Sequence, residues 1–142
     1  MHNNIQEYLD THLVFSIKKL DRALDKFMEK YFQKLGLTPS YAIILTILNK
    51  ENGKIQKDIA ELLCITPPTL TRLIEKLTYK GYVQIISEGR TKRIYLTDKA
   101  REIMPEIQKA FHESKQHLEK LIKNDNTNNL VVELNKITKN IH

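Results

Sequence analysis

The side chains best equipped for chemistry in this sequence are cations and hydroxyls between Pro67 and Arg93. Within Pro67–Lys80, the apolar residues Leu70, Leu73, Ile74 and Leu77 share one side of a helix turning about 100° per residue. That geometry puts Pro68, Arg72, Glu75 and Lys76 on the opposite side, with Thr69 and Thr71 on the flanks. A helix anchored on one face and offering Thr, Thr, Arg and Lys from the other suits the DNA major groove. Arginine takes guanine O6 and N7 bidentately, and threonine offers a hydroxyl and a methyl to other base edges. Further on, Arg90 sits near the tip of a basic hairpin predicted over Ser87–Arg93, placed to enter a minor groove where negative potential concentrates. The plainer alternative for both features is a solvated helix face and an ordinary charged turn.

The distribution of charge favours the first reading. The chain has 142 residues, 23 Lys/Arg against 17 Asp/Glu, and a formal net charge of +6. Residues 1–52 carry seven cations against six anions, and residues 98–142 carry eight against seven. Residues 53–97 hold Lys54, Lys57, Arg72, Lys76, Lys80, Arg90, Lys92 and Arg93 against only Asp58, Glu61, Glu75 and Glu88, a net of +4 in 45 residues. Such a local excess is the footprint of a polyanion-binding module.

Other classes fit poorly. The run Tyr41–Leu48 is far shorter than the roughly 20 apolar residues a membrane span needs, and residues 1–7 lack the pattern of a signal peptide. A lone Cys64 suits a reducing compartment, so a cytoplasmic protein is expected. Four glycines, none in a phosphate-cradling motif, argue against nucleotide folds. No nucleophile elbow, HxxxH, CxxC or paired-carboxylate pattern is present, so neither catalysis, a metal nor a cofactor is expected. His112 and His117 lie five apart, off a common helical face, and read as solvated.

The elements that must position the reading helix are mainly helical, with one small hairpin. Leu9, Leu13, Ile17, Leu20, Leu24, Phe27 and Tyr31 recur at steps of three and four, which predicts one long amphipathic helix ended at Gly36. Thr38-Pro39 opens a second, central helix to about Leu48, and a third covers about Gln56–Leu63. The turn Cys64–Pro68 leads into the fourth, with Thr66 as N-cap and Gly81 as stop. Tyr82–Ile86 and Arg93–Leu96 are β-rich runs around a polar loop, Ser87–Lys92. Thr97-Asp98 caps a fifth helix to about Lys123, which Pro105 should kink or divide. Asn124–Asn129 reads as a breaker before a last helix carrying Leu130, Leu134, Ile137 and Ile141.

This order of pieces resembles the MarR (multiple-antibiotic-resistance regulator) family of winged helix-turn-helix transcription factors. The resemblance rests on Leu37-Thr-Pro39, Gln56–Leu63, Ile65–Leu77, Lys80-Gly-Tyr-Val83, Glu88-Gly-Arg90 and Leu96-Thr-Asp-Lys-Ala100, and it spans nearly the whole chain. It implies a homodimer whose helices at 5–35 and 98–142 interlock, flanking a DNA-binding lobe at 37–97. It assigns major-groove contact to Pro68, Thr69, Thr71, Arg72 and Lys76, and wing contact to Arg90 with Lys92 and Arg93 nearby. The wing is shorter than is usual for the family, which shortens its expected reach, and Glu88-Gly89-Arg90 stands where an Asp-x-Arg motif is usual. The implied function is a repressor on a pseudo-palindromic operator, released by a small aromatic or anionic effector.

Three alternatives stay open at this level. The apolar stripes could pack into an intrachain helical core instead of a dimer. The winged helix could bind a protein, as an adaptor with no operator. Regulation could run through Cys64, although family members that sense peroxides do so with a cysteine in the first helix, where this chain has Val14. Beside Leu63 and Ile65, Cys64 reads first as a small buried hydrophobe. Tyr8, Phe15, Tyr31 and Tyr41 are candidates to line an effector cleft, or simply to pack.

Overall fold

The computed structural model describes residues 4–123 and 127–142. In chain order it contains α1 (Asn4–Thr11), α2 (Leu13–Phe32), a 3-10 turn (Gln33–Leu35), α3 (Pro39–Lys50), β1 (Lys54–Ile55), α4 (Gln56–Leu63), α5 (Pro67–Tyr79), β2 (Val83–Glu88), β3 (Thr91–Leu96), α6 (Asp98–Ile122) and α7 (Thr127–Ile141). The core gathers Ile44, Leu45 and Leu48 of α3, Ile59 of α4, Leu70, Ile74 and Leu77 of α5, Ile94 of β3 and Ile107 of α6. Phe32, at the end of α2, closes it from above with its ring 4.7 Å from that of Phe111.

Cap chemistry sets three of the helix starts. The side chains of Thr38, Thr66 and Thr97 each accept from the backbone N–H three residues on, and Pro39 and Pro67 occupy first helical positions. Each such cap contributes about 1 kcal/mol. Gly36, at φ 68, ends the 3-10 turn, and Gly81, at φ 83, follows α5. The end of α5 is then stitched to the start of α6. Thr97 donates from Oγ1 to the Gly81 carbonyl at 2.6 Å, and Lys99 donates to the Lys80 carbonyl while lying 4.6 Å from the Tyr82 ring centre.

Three local expectations meet a different outcome. The first helix is two, because His12 takes an extended conformation (φ −87, ψ 118) and accepts from the Phe15 N–H through Nδ1. Across this break Lys19 donates to Asp10 at 2.5 Å. The Lys19 ammonium, then the Gln6 amide, holds the Asp10 carboxyl below the usual carboxylate range, so this tie is present above that range and is lost as pH falls through the lowered value. Of the two outcomes expected at Pro105, division does not occur: α6 runs from Asp98 to Ile122 as one helix, with the buried Met104 and Ile107 on either side of the proline. Of the Asn124–Asn129 run, residues 124–126 lie outside the described residues, and residues 127–129 already belong to α7.

The sheet also holds more than the hairpin. It has three strands in the order β1-β3-β2, with Lys54 opposite Ile94 and Ile55 opposite Arg93. The strands of the hairpin run further than predicted. Ser87 pairs with Lys92 and Glu88 with Thr91, leaving only Gly89 and Arg90 in the turn. A single positive φ at Gly89 (63) is the pattern of a type II′ hairpin turn. Just before β1, Gly53 has φ 78, and a Cβ there would fall 2.7 Å from Cε1 of Tyr95. Gly53→Ala therefore meets both backbone strain and a ring, and should lower stability by about 1–3 kcal/mol. An unchanged denaturant midpoint would contradict that reading.

Candidate nucleic-acid interface

Helix α5, which the sequence offers as a reading helix, is fixed from behind. Leu70, Ile74 and Leu77 are fully buried, Leu73 is half-buried, and Pro68, Arg72, Glu75 and Lys76 are exposed on the other side. A three-residue turn, Cys64-Ile65-Thr66, joins α4 to α5 and completes a helix-turn-helix. Of the threonines on the flanks, Thr69 shares a hydroxyl contact of 2.7 Å with the cap Thr66. Thr71 donates to the Pro67 carbonyl and accepts from Gln56, each at 3.0 Å.

The wing alternates in the same way. Ile94 and Leu96 are buried, so Lys92, two residues earlier, lies on the sheet face that packs against the helices, while Arg93 and Tyr95 lie on the other. Arg90 sits in the turn and is exposed. The wing and the helix-turn-helix flank one cleft of about 280 Å³, whose lining includes Lys57, Pro67, Arg90 and Lys92. Arg72, Lys76, Arg90, Lys92 and Lys57 are exposed, and none forms an ion pair with a described residue. Lys57 was not singled out by sequence; it counted only towards the local charge excess, since nothing local reveals that α4 begins beside the wing.

Arg93 is different. Its Nη1 donates to the Gly53 carbonyl at 3.1 Å and its Nε to Glu88 at 3.4 Å, so it fastens β1 and β2 to β3. Arg93→Ala should lower stability by about 1 kcal/mol and leave base preference untouched. Thermal unfolding and duplex selection on the same variant check both halves of that expectation.

The remaining candidates are sorted by their surroundings. Cys64 is exposed rather than buried, because it closes α4 in the left-handed conformation (φ 55) and turns outward. His117, although exposed, is not merely solvated: its ring lies 5.1 Å from that of Phe27, and its Nδ1 is 2.5 Å from the Tyr31 hydroxyl. Tyr41 belongs to the core, Tyr31 and Phe15 are half-buried, and Tyr8 is 65% exposed. Among the described residues no three His, Cys, Asp or Glu side chains converge as a metal site. No helix among them is long and apolar enough to cross a membrane.

A helix-turn-helix backed by a three-stranded sheet, with exposed cations on α5 and at the wing tip, defines a winged helix-turn-helix DNA-binding protein. A model of the MarR family matches residues 35–94. The HTH-type transcriptional regulator SarZ of Staphylococcus haemolyticus (strain JCSC1435) is 30% identical over 137 residues, 94% of this chain and 91% of that protein. The HTH-type transcriptional regulator YybA of Bacillus subtilis (strain 168) is 29% identical over 92 residues, and the match spans 61% of its length. A solved MarR family regulator from Listeria monocytogenes, in complex with a 26-mer DNA, superposes with a TM-score of 0.78 at 25% identity, over 92% of this chain and 89% of that one. The chain belongs to the MarR family and is a DNA-binding transcriptional regulator; the family consists of regulators rather than enzymes.

Proposed function

We propose that the protein is a homodimeric repressor that binds a pseudo-palindromic operator, one lobe (37–97) to each half-site. In this reading Pro68, Thr69, Thr71, Arg72 and Lys76 face the major groove, and Arg90 and Lys92 reach the backbone or minor groove beside it. The observation that carries the proposal is a set of exposed cations, Arg72, Lys76, Arg90 and Lys92, which form no ion pair with a described residue and are presented from two elements that flank one cleft. A merely solvated surface would mix these with carboxylate partners, as α6 does with Lys109–Glu113 and Lys115–Glu119.

The helices at 5–35 and 98–142 are proposed to form the dimer. What supports this is apolar surface left uncovered within one chain: Leu13, Ile17 and Leu20 on α2, and Leu130, Leu134, Ile137 and Ile141 on α7, are all exposed, and α7 buries none of its residues. An intrachain core would have covered them. Release by a small aromatic or anionic effector belongs to the same reading, and the Phe27–Tyr31–His117 ring cluster between α2 and α6 supports a place for one.

Selection of bound duplexes from a random library, followed by titration at two salt concentrations, tests the proposal. A palindromic winner is expected, with half-sites about one helical turn (~34 Å) or a multiple of it apart. Its log–log salt slope should be near −0.9 per phosphate neutralised. Arg90→Ala should weaken binding to selected and unrelated duplexes alike and reduce that slope by about one. Enrichment of no sequence, with no salt-dependent binding, would instead favour a protein-binding adaptor.

A further inference from the structure

Thr71 lies on the flank of α5 with its hydroxyl engaged twice. The oxygen is 3.0 Å from the Pro67 carbonyl, one turn earlier, and 3.0 Å from Nε2 of Gln56, the first residue of α4. A hydroxyl has one proton, and a carbonyl only accepts. The proton therefore goes to Pro67, and the oxygen accepts from Gln56. This also orients the Gln56 amide, with Nε2 towards Thr71 and Oε1 away from it. The hydroxyl then has no proton left to donate to a base. The remaining heavy group on its Cβ is the methyl, and Thr71 is half-buried rather than enclosed.

Resting on the reading of α5 as the major-groove helix, we propose that Thr71 is an apolar reader, recognising a thymine through its 5-methyl group, and that Gln56 is the positioning residue that holds it in that role. Sequence geometry left Thr71 with two offers, a hydroxyl and a methyl; the chain Gln56–Thr71–Pro67 takes the hydroxyl's proton and one of its two lone pairs, and leaves the methyl whole. In this role Gln56 acts through Thr71. Serine at position 71 keeps both hydrogen bonds and loses the apolar contact, whereas valine keeps the contact and loses the bonds. The two substitutions thus separate the roles of the hydroxyl and the methyl.

The test uses the full-length protein and the duplex it selects from a random library. Each thymine of a half-site is replaced singly by deoxyuridine, which removes the 5-methyl alone, and affinity is read by fluorescence anisotropy. For the native protein, one thymine per half-site should cost about fourfold when replaced, the worth of one buried methyl. At that position Thr71→Ser should no longer distinguish thymine from uracil, and Thr71→Val should still do so. Gln56→Ala should shrink the distinction while leaving the salt slope unchanged, a readout that a purely structural loss would not separate. Circular dichroism establishes that each variant is folded, and Thr71→Val, close in shape to threonine, guards against a variant that is not. Thymine discrimination that survives in Thr71→Ser, or is lost in Thr71→Val, overturns the apolar reading. Discrimination untouched in Gln56→Ala overturns the positioning role. An enriched site with no methyl-sensitive thymine overturns this inference alone, whereas failure to enrich any site overturns the major-groove reading of α5 and this inference with it.

Discussion

Leu134→Lys is expected to convert the protein to single chains in solution and to lower its affinity for a palindromic duplex by about 100-fold or more. Leu134 is 51% exposed and lies on the apolar stripe of α7 with Leu130, Ile137 and Ile141. If that stripe is covered by a second chain, a lysine there carries an unpaired charge into an apolar contact, and symmetry places it in both chains. The loss on DNA is larger than any single base contact supplies. Two linked lobes bind the second half-site at a high effective concentration, and avidity of 10² to 10⁴ disappears when the link is cut. Sedimentation velocity reads the mass and anisotropy reads the binding. An unchanged mass for the variant, or a native protein already sedimenting as one chain, would remove α7 from the interface.

Arg72→Ala should cost about 1–3 kcal/mol on the selected operator and relax the preference at one base position per half-site. Arg72 is exposed on α5 and forms no ion pair with a described residue, which leaves its guanidinium able to grip O6 and N7 of a guanine. Lys76, one turn further on, is a point charge and should behave differently, with binding weakened evenly across sequences. Repeating the duplex selection with Arg72→Ala decides the matter. The same consensus at the same affinity would show that Arg72 does not read a base.

Local chemistry made most of this legible in the sequence. Thr38-Pro39, Thr66-Pro67 and Thr97-Asp98 announce helix starts because cap and helix lie within three residues of each other. The Leu70–Leu77 stripe separated the reading face of α5 from its anchored face for the same reason. What escaped was non-local. β1 is two residues long and exists only because β3, some 40 residues later, pairs with it. That Arg93, placed near the wing contact by the resemblance, also bonds the Gly53 carbonyl was hidden because that acceptor is equally distant. The break at His12 was hidden because the apolar period continues across it, while the cap that makes it is a ring nitrogen. Gln56 gave no signal, since an amide at a helix start does not reveal that it answers a hydroxyl 15 residues on.

The clamp formed by Arg93 has a wider consequence. It joins the wing to the loop before α4, the Gln56–Thr71 bond joins α4 to α5, and the Thr97 and Lys99 contacts join α5 to the base of α6. In a dimer, each lobe is then one jaw of a caliper, its elements tied to one another by these contacts. The gap between jaws is set only where α1, α2, α6 and α7 meet their counterparts. Substitutions in the jaws should change which bases are chosen, and substitutions in the long helices should change how far apart two sites can lie. Spacing and sequence preference should therefore mutate independently.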